Sequence, residues 1–222
     1  MVWLLTCEHY SNGIPLEYAD VFINAIDVLE SHRGYDIKAA PLFLRFEPLF
    51  DESIFYRYTR LLIEPNRSLD DKFLFSPFTA ALSSQVKTKL IHDLYQPYRK
   101  KVQSFITDYI DQGVMHISLH TFHPIQGNED RSSVIGINFN SNKTNERELA
   151  TVWKNSIKAI DPTLSVRFNY PYHGRLDGLT TFLGKCFPAN YHGFVLEVRN
   201  DCALELRKPL FESMANLRGI LG

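Results

Sequence analysis

Two histidines each stand where an apolar run gives way to polar residues, His9 after residues 2–7 and His120 after residues 114–119. Neutral imidazoles are good ligands for a divalent cation, most naturally Zn²⁺. A catalytic zinc takes three protein ligands and keeps one position open. The third ligand should be a carboxylate. Glu8 adjoins His9, and on a regular strand neighbouring side chains point to opposite faces, so the pair would not ligate together unless the chain turns there. Asp36 opens a predicted helix and can reach a neighbouring strand end, which makes it the preferred third ligand. Glu197, delivered by the apolar run 193–196, is the natural general base. Metal brings the pKa of a bound water near neutrality, and a carboxylate beside it can take the proton and return it to a leaving amine. Asn66 and Arg67, with Arg60, could grip an acidic substrate, because a guanidinium binds a carboxylate bidentately and lysine does not.

Every one of these residues also has an ordinary reading. A lone histidine among eight is a structural or surface group, and Glu197 alone is a helix cap or a solvated carboxylate. Asn66-Arg67 after Pro65 reads as a turn followed by a solvated arginine. Cys7 reads as a small buried hydrophobe, although a cysteine amidase with Cys7 as nucleophile and His9 or His120 as base uses the same residues.

The elements that must carry these groups alternate along the chain. Residues 2–7, 54–58, 61–64, 114–119, 134–139, 166–168 and 193–196 read as strands. Residues 36–46, 83–95, 98–111, 146–160 and 204–221 read as helices, with Pro41 tolerated near a helix start and Pro97 kinking or restarting the helix it enters. Strands alternating with helices predict an α/β sandwich around a mixed, largely parallel sheet. In such sheets ligands sit beyond the carboxyl ends of the strands, where Glu8 and His9, Asn66 and Arg67, His120 and Glu197 all fall.

The 222 residues fit one compact domain, and no repeat or linker divides residues 1–222. The formal net charge is −1, from 24 Lys+Arg against 25 Asp+Glu, which leaves no electrostatic footprint for nucleic acid or an acidic membrane surface. No stretch approaches the roughly 20 apolar residues of a membrane helix. The run Val2-Trp3-Leu4-Leu5 is too short for a signal-peptide core, and three cysteines suit a reducing compartment, so a cytoplasmic location is the expectation.

Taken together, six ordered blocks carry a resemblance to a known family. They are Cys7-Glu8-His9-Tyr10-Ser11-Asn12 with Ile14-Pro15, then Tyr35-Asp36-Ile37, and then residues 59–67 from Thr59 to Arg67. Ser118-Leu119-His120-Thr121-Phe122, Tyr170-Pro171-Tyr172 and Leu196-Glu197-Val198 complete the set. The chain resembles the N-formylglutamate amidohydrolase family, and through it the zinc carboxypeptidases and aspartoacylase-like deacylases, which implies a three-layer α/β/α sandwich with a mixed, largely parallel central sheet. The resemblance implies a zinc held by His9, His120 and a carboxylate, with Glu197 as base. It also implies an Asn66-Arg67 pair on the substrate carboxylate, with Arg60 and Tyr172 as further substrate contacts. The carboxypeptidase spacing puts the third ligand at Asn12, so Asp36 rests on the reading of the residues alone. Glu64 stands where the family commonly has Asp. The implied activity is hydrolysis of the amide of a small N-acyl acidic amino acid such as N-formyl-L-glutamate. A catalytically silent member that binds an acidic metabolite is the alternative, and the oligomeric state is left open.

Overall fold

The computed structural model describes residues 1–221. Strand β1 (Val2–Cys7) is followed by two short helices, α1 (Ile26–Leu29) and α2 (Ala39–Phe46), and by β2 (Glu52–Phe55). Helices α3 (Ser84–Leu90) and α4 (Gln96–Tyr109) precede β3 (Val114–Phe122), a small hairpin of β4 (Ile125–Gln126) and β5 (Glu129–Asp130), and β6 (Ile135–Asn138). Helix α5 (Thr144–Ile160), β7 (Val166–Phe168), α6 (Leu179–Cys186), β8 (Tyr191–Arg199) and α7 (Arg207–Leu221) complete the order.

Six strands form one sheet in the order β2-β1-β3-β8-β6-β7. The first four are mutually parallel, β6 runs antiparallel to β8, and β7 is parallel to β6. Helices cover both faces, as the three-layer expectation requires. Alternation along each strand decides which layer a side chain enters. Trp3, Leu5 and Cys7 of β1 and Met115, Ile117 and Leu119 of β3 join one apolar core with α2, α5 and α7. Leu4 of β1 and Val114 of β3 point the other way, into a second core with α4 and α6. On that second face, Thr6, His116, Ser118 and His120 occupy positions that a sheet buried on both sides usually gives to apolar residues, and all four are buried.

Several expectations need correction. Residues 61–64 are not a strand: Leu62 N–H donates to Thr59 O at 3.1 Å in a turn, and Glu64 N–H donates to Leu74 O. Leu61, Leu62 and Ile63 are apolar because they pack in the second core. Burial without a ladder gives the same sequence signal as a central strand. The helix expected from Asp36 begins at Ala39, after Lys38 takes a left-handed φ of 70°, so Asp36 stands in the turn ahead of it. The helices expected at 83–95 and 98–111 run on without a break through a π turn at Ile91–Tyr95, just before Pro97. Proline has no N–H and its ring crowds the carbonyl four residues back, and the wider turn absorbs both. Helix α6 has no counterpart in the sequence reading.

Candidate active site

The parallel register sets Glu197 of β8 directly beside His120 of β3. Strand β1 ends at Cys7, and the chain then turns, so His9 escapes the alternation that would point it away from Glu8's face of the sheet. Backbone bonds bring Asp36 to the same place: its N–H donates to His9 O at 2.9 Å, and its carbonyl accepts from Ala39 N–H at 3.0 Å. Thr121 N–H then fixes the carboxylate by donating to Oδ2 at 3.1 Å.

Three buried donor atoms converge. His120 Nδ1 lies 2.9 Å from Asp36 Oδ2 and 3.1 Å from His9 Nδ1, and His9 Nδ1 lies 3.3 Å from Asp36 Oδ1. His9, Asp36 and His120 form the one such group that could hold a metal among the described residues. Ligands about 2.0–2.1 Å from a tetrahedral zinc sit about 3.3 Å from each other, so the spacing fits a cation between them. The chemistry fits too, because two imidazole nitrogens facing each other at 3.1 Å cannot both keep a proton, whereas a cation satisfies both lone pairs.

The far side of each ring is also held. His9 Nε2 donates to Glu64 Oε1 at 2.6 Å, and Arg60 grips the other oxygen of Glu64 through Nε at 2.7 Å and Nη2 at 2.6 Å. His120 Nε2 lies 2.9 Å from Glu8 Oε2. Burial alone would lower the His120 pKa, but the hydrogen bonds and charges of Asp36 and Glu8 raise it well above the ordinary imidazole value. Burial would raise the three carboxylates, yet the imidazoles, joined at Glu64 by Arg60, bring Glu8, Asp36 and Glu64 well below the usual carboxylate range.

Glu197 behaves in the opposite way. Burial pushes its pKa up to about 7, and among the described residues no donor reaches its Oε2. A buried, unpartnered carboxylate facing a cleft is poised to exchange a proton near neutral pH. It has room because Gly136 is its neighbour on β6: a Cβ there would meet the Tyr170 carbonyl oxygen at 1.7 Å and the Glu197 Cβ at 3.2 Å.

The remaining expected residues line a cleft of about 620 Å³ together with this cluster. Arg67 donates through Nη1 to the carbonyls of Asn66 and Asp177, at 3.0 and 2.8 Å, which fixes the guanidinium and leaves its Nε and Nη2 without a partner among the described residues. The Asn66 Oδ1 accepts from Leu179 N–H at 2.7 Å and so caps α6, leaving Nδ2 turned toward His120. Arg60 lines the cleft but its fork is committed to Glu64. Tyr172 is at the rim, 45% exposed. Cys7 lies in the first core, where burial and then the negative charges of Asp36 and Glu8 push its thiol up, away from the thiolate that a nucleophile needs.

The structure adds Arg131 and His32, which the sequence reading did not single out, beside His123, which reads from the sequence as a further polar group on a loop. Arg131 lies in the cleft with its guanidinium over the Tyr172 and Phe122 rings, at 5.2 and 5.5 Å, and donates to Tyr172 Oη at 3.3 Å. Its sequence context, Glu129-Asp130-Arg131, reads as a solvated charge cluster and offered no signal. His32 and His123 pair nearby with ring centroids 4.9 Å apart.

The sequence profile of N-formylglutamate amidohydrolase matches residues 1–204. The chain belongs to this family. Membership makes an amidohydrolase the coarse description of the activity. Among solved structures, the amidohydrolase chain is similar to gene product Atu2144 from Agrobacterium tumefaciens, with 25% identity and a TM-score of 0.83 over 99% of this chain and 91% of that one. A metallo-carboxypeptidase from Burkholderia cenocepacia aligns with 13% identity and a TM-score of 0.41, over 100% of this chain and 57% of that one. No curated protein matches the sequence. Among the described residues no helix is long and apolar enough to cross a membrane.

Proposed function

We propose that this family member is a metal-dependent hydrolase that cleaves the amide bond of an N-acyl acidic amino acid, with N-formyl-L-glutamate as the type substrate. The observation that carries the reading is the pairing of a convergent His9–Asp36–His120 donor set with Glu197, which lines the same cleft and has one buried oxygen without a hydrogen-bond partner among the described residues. His9, Asp36 and His120 would hold a divalent cation, Zn²⁺ by donor type, which when bound supplies Lewis-acid polarisation of the acyl oxygen and acidifies water.

Glu197 takes a proton from the water that attacks the acyl carbon and returns it to the leaving nitrogen. Burial raises the basicity of this carboxylate, which suits it to accept that proton before passing it on. Arg67, held by two backbone carbonyls, offers the free edge of its fork to a substrate carboxylate, and Asn66 Nδ2 lies alongside. Binding the substrate away from the scissile bond fixes the acyl carbon with respect to Glu197 and selects acidic amino acids.

The test is metal analysis of the purified protein, followed by assay on a panel of N-formyl, N-acetyl and N-succinyl amino acids. The expected result is bound divalent metal and turnover of an acidic member, with Glu197→Gln losing about two orders of magnitude or more in kcat while retaining metal. A protein that stays metal-free and inactive after metal addition refutes the reading and leaves the silent binding member in its place.

A further inference from the structure

Glu8 has no place in the chemistry above, yet it is the most completely buried carboxylate at the site, with 0% exposure. A buried carboxylate is costly unless its oxygens are satisfied. Here both are: Oε1 accepts from Tyr98 Oη at 2.7 Å, and Oε2 accepts from Ser118 Oγ and meets His120 Nε2 at 2.9 Å. The placement follows from the sheet. Strands β1 and β3 pair with Leu4 opposite His116 and Thr6 opposite Ser118. The next residue of the same parity past the end of β1 is therefore Glu8, alongside His120.

Carboxylate oxygens face both ring nitrogens of His120 at 2.9 Å, Glu8 Oε2 at Nε2 and Asp36 Oδ2 at Nδ1, so the ring can give a proton to either. A cation held by His9, Asp36 and His120 would take the Nδ1 lone pair, and the ring proton then sits on Nε2, where Glu8 accepts it. Glu8 itself lies on the other side of the ring, and its oxygens cannot reach the same point without displacing the imidazole. Ser118 Oγ is within 3.1 Å of the same nitrogen, so a neutral acceptor is already at hand. The carboxylate adds a charge, which makes the opposite nitrogen a better electron donor.

We propose that Glu8 is the positioning residue of the cation site, anchored by Tyr98 and Ser118, which locks His120 in the tautomer and orientation that present Nδ1 as a ligand. This rests on the reading of His9, Asp36 and His120 as ligands. It makes Glu8 a determinant of metal affinity without making it a ligand.

Zn²⁺ affinity is measured by competition with a chromogenic chelator on the wild-type protein, Glu8→Gln and His120→Ala, with thermal melting of each metal-free protein as a check on folding. Glu8→Gln is expected to bind Zn²⁺ about 10–100-fold more weakly than wild type, and His120→Ala to lose binding altogether. In the Zn²⁺-loaded wild-type protein, long-range ¹H–¹⁵N correlation of the imidazoles is expected to show His120 with its proton on Nε2. That measurement needs no variant to fold. The proposal is overturned if His120 carries its proton on Nδ1, if folded Glu8→Gln keeps its affinity within about threefold, or if it loses Zn²⁺ as completely as His120→Ala. A wild-type protein with no Zn²⁺ affinity overturns the ligand reading itself, whereas the other three results leave that reading standing.

Discussion

The buried imidazole of His116 gives the most quantitative prediction. It lies between Thr6 Oγ1 at 2.8 Å and Tyr191 Oη at 2.6 Å, with 0% exposure. Burial lowers its pKa from the ordinary 6.5 to about 4, against an opposing pull from Glu8. Between those values the unfolded chain binds a proton that the native protein refuses. Stability is therefore full above pH 6.5 and is lost as pH falls toward 4. Between about pH 7.5 and pH 5 the linkage amounts to about 2 kcal/mol, at ~1.4 kcal/mol per pH unit over the part of the window where only the unfolded chain titrates. The perturbation is His116→Gln, which removes the titrating group and keeps an amide able to donate and accept. Urea unfolding of both proteins, in chelator so that metal linkage does not contribute, gives the difference directly. Wild type should lose about 2 kcal/mol more than the variant across that window, roughly 1 M in urea midpoint for a typical slope. Stopping near pH 5 keeps the depressed carboxylates Glu8, Asp36 and Glu64 out of the comparison, since they respond below it. The burial argument fails if the two proteins lose the same stability to within about 0.5 kcal/mol.

Other perturbations read other parts of the site. Arg67→Ala should cut kcat/KM for an acidic substrate by about 100-fold, the worth of a charge-assisted contact, while neutral N-acyl amino acids change by less than about threefold. Equal losses on both would remove Arg67 from carboxylate recognition. Gly136→Ala should cost about 3 kcal/mol, a fall in Tm on the order of 10 °C, because its Cβ would run into the Tyr170 carbonyl. Differential scanning calorimetry showing an unchanged Tm contradicts that packing. Chelation should abolish turnover and a divalent cation restore it, whereas a thiol reagent that meets Cys186 at the surface but not buried Cys7 leaves turnover intact. Activity that outlives complete metal removal and dies when Cys7 is alkylated reverses the assignment.

The sheet and the ends of its strands were readable because His9, His120 and Glu197 each close a largely apolar run, and such runs mark central strands. The same rule misread residues 61–64, where Leu61, Leu62 and Ile63 are buried by the second core without a ladder. Helix α6 left almost no trace. It is eight residues long, contains two threonines and a glycine, and takes its cap from Asn66, far away in sequence. The pairings of Glu64 with His9 and Glu8 with His120 are tertiary facts that no local pattern encodes. One signal was available and unused. In β3 the polar residues His116, Ser118 and His120 alternate with Met115, Ile117 and Leu119, so a polar stripe down one face of a buried strand was written in the parity of the sequence.

That parity restricts how this protein can evolve. Substitutions at the even-numbered positions from His116 to His120 alter the cleft and its supports, and those at the odd-numbered ones alter the oily layer, so each set can drift on its own. A one-residue insertion or deletion inside β3 exchanges the two sets in a single event, sending leucine toward the cleft and histidine into the packing against α2. Length changes should therefore gather in the connections between strands, and β3 should keep its residue count across lineages even where little of its sequence survives.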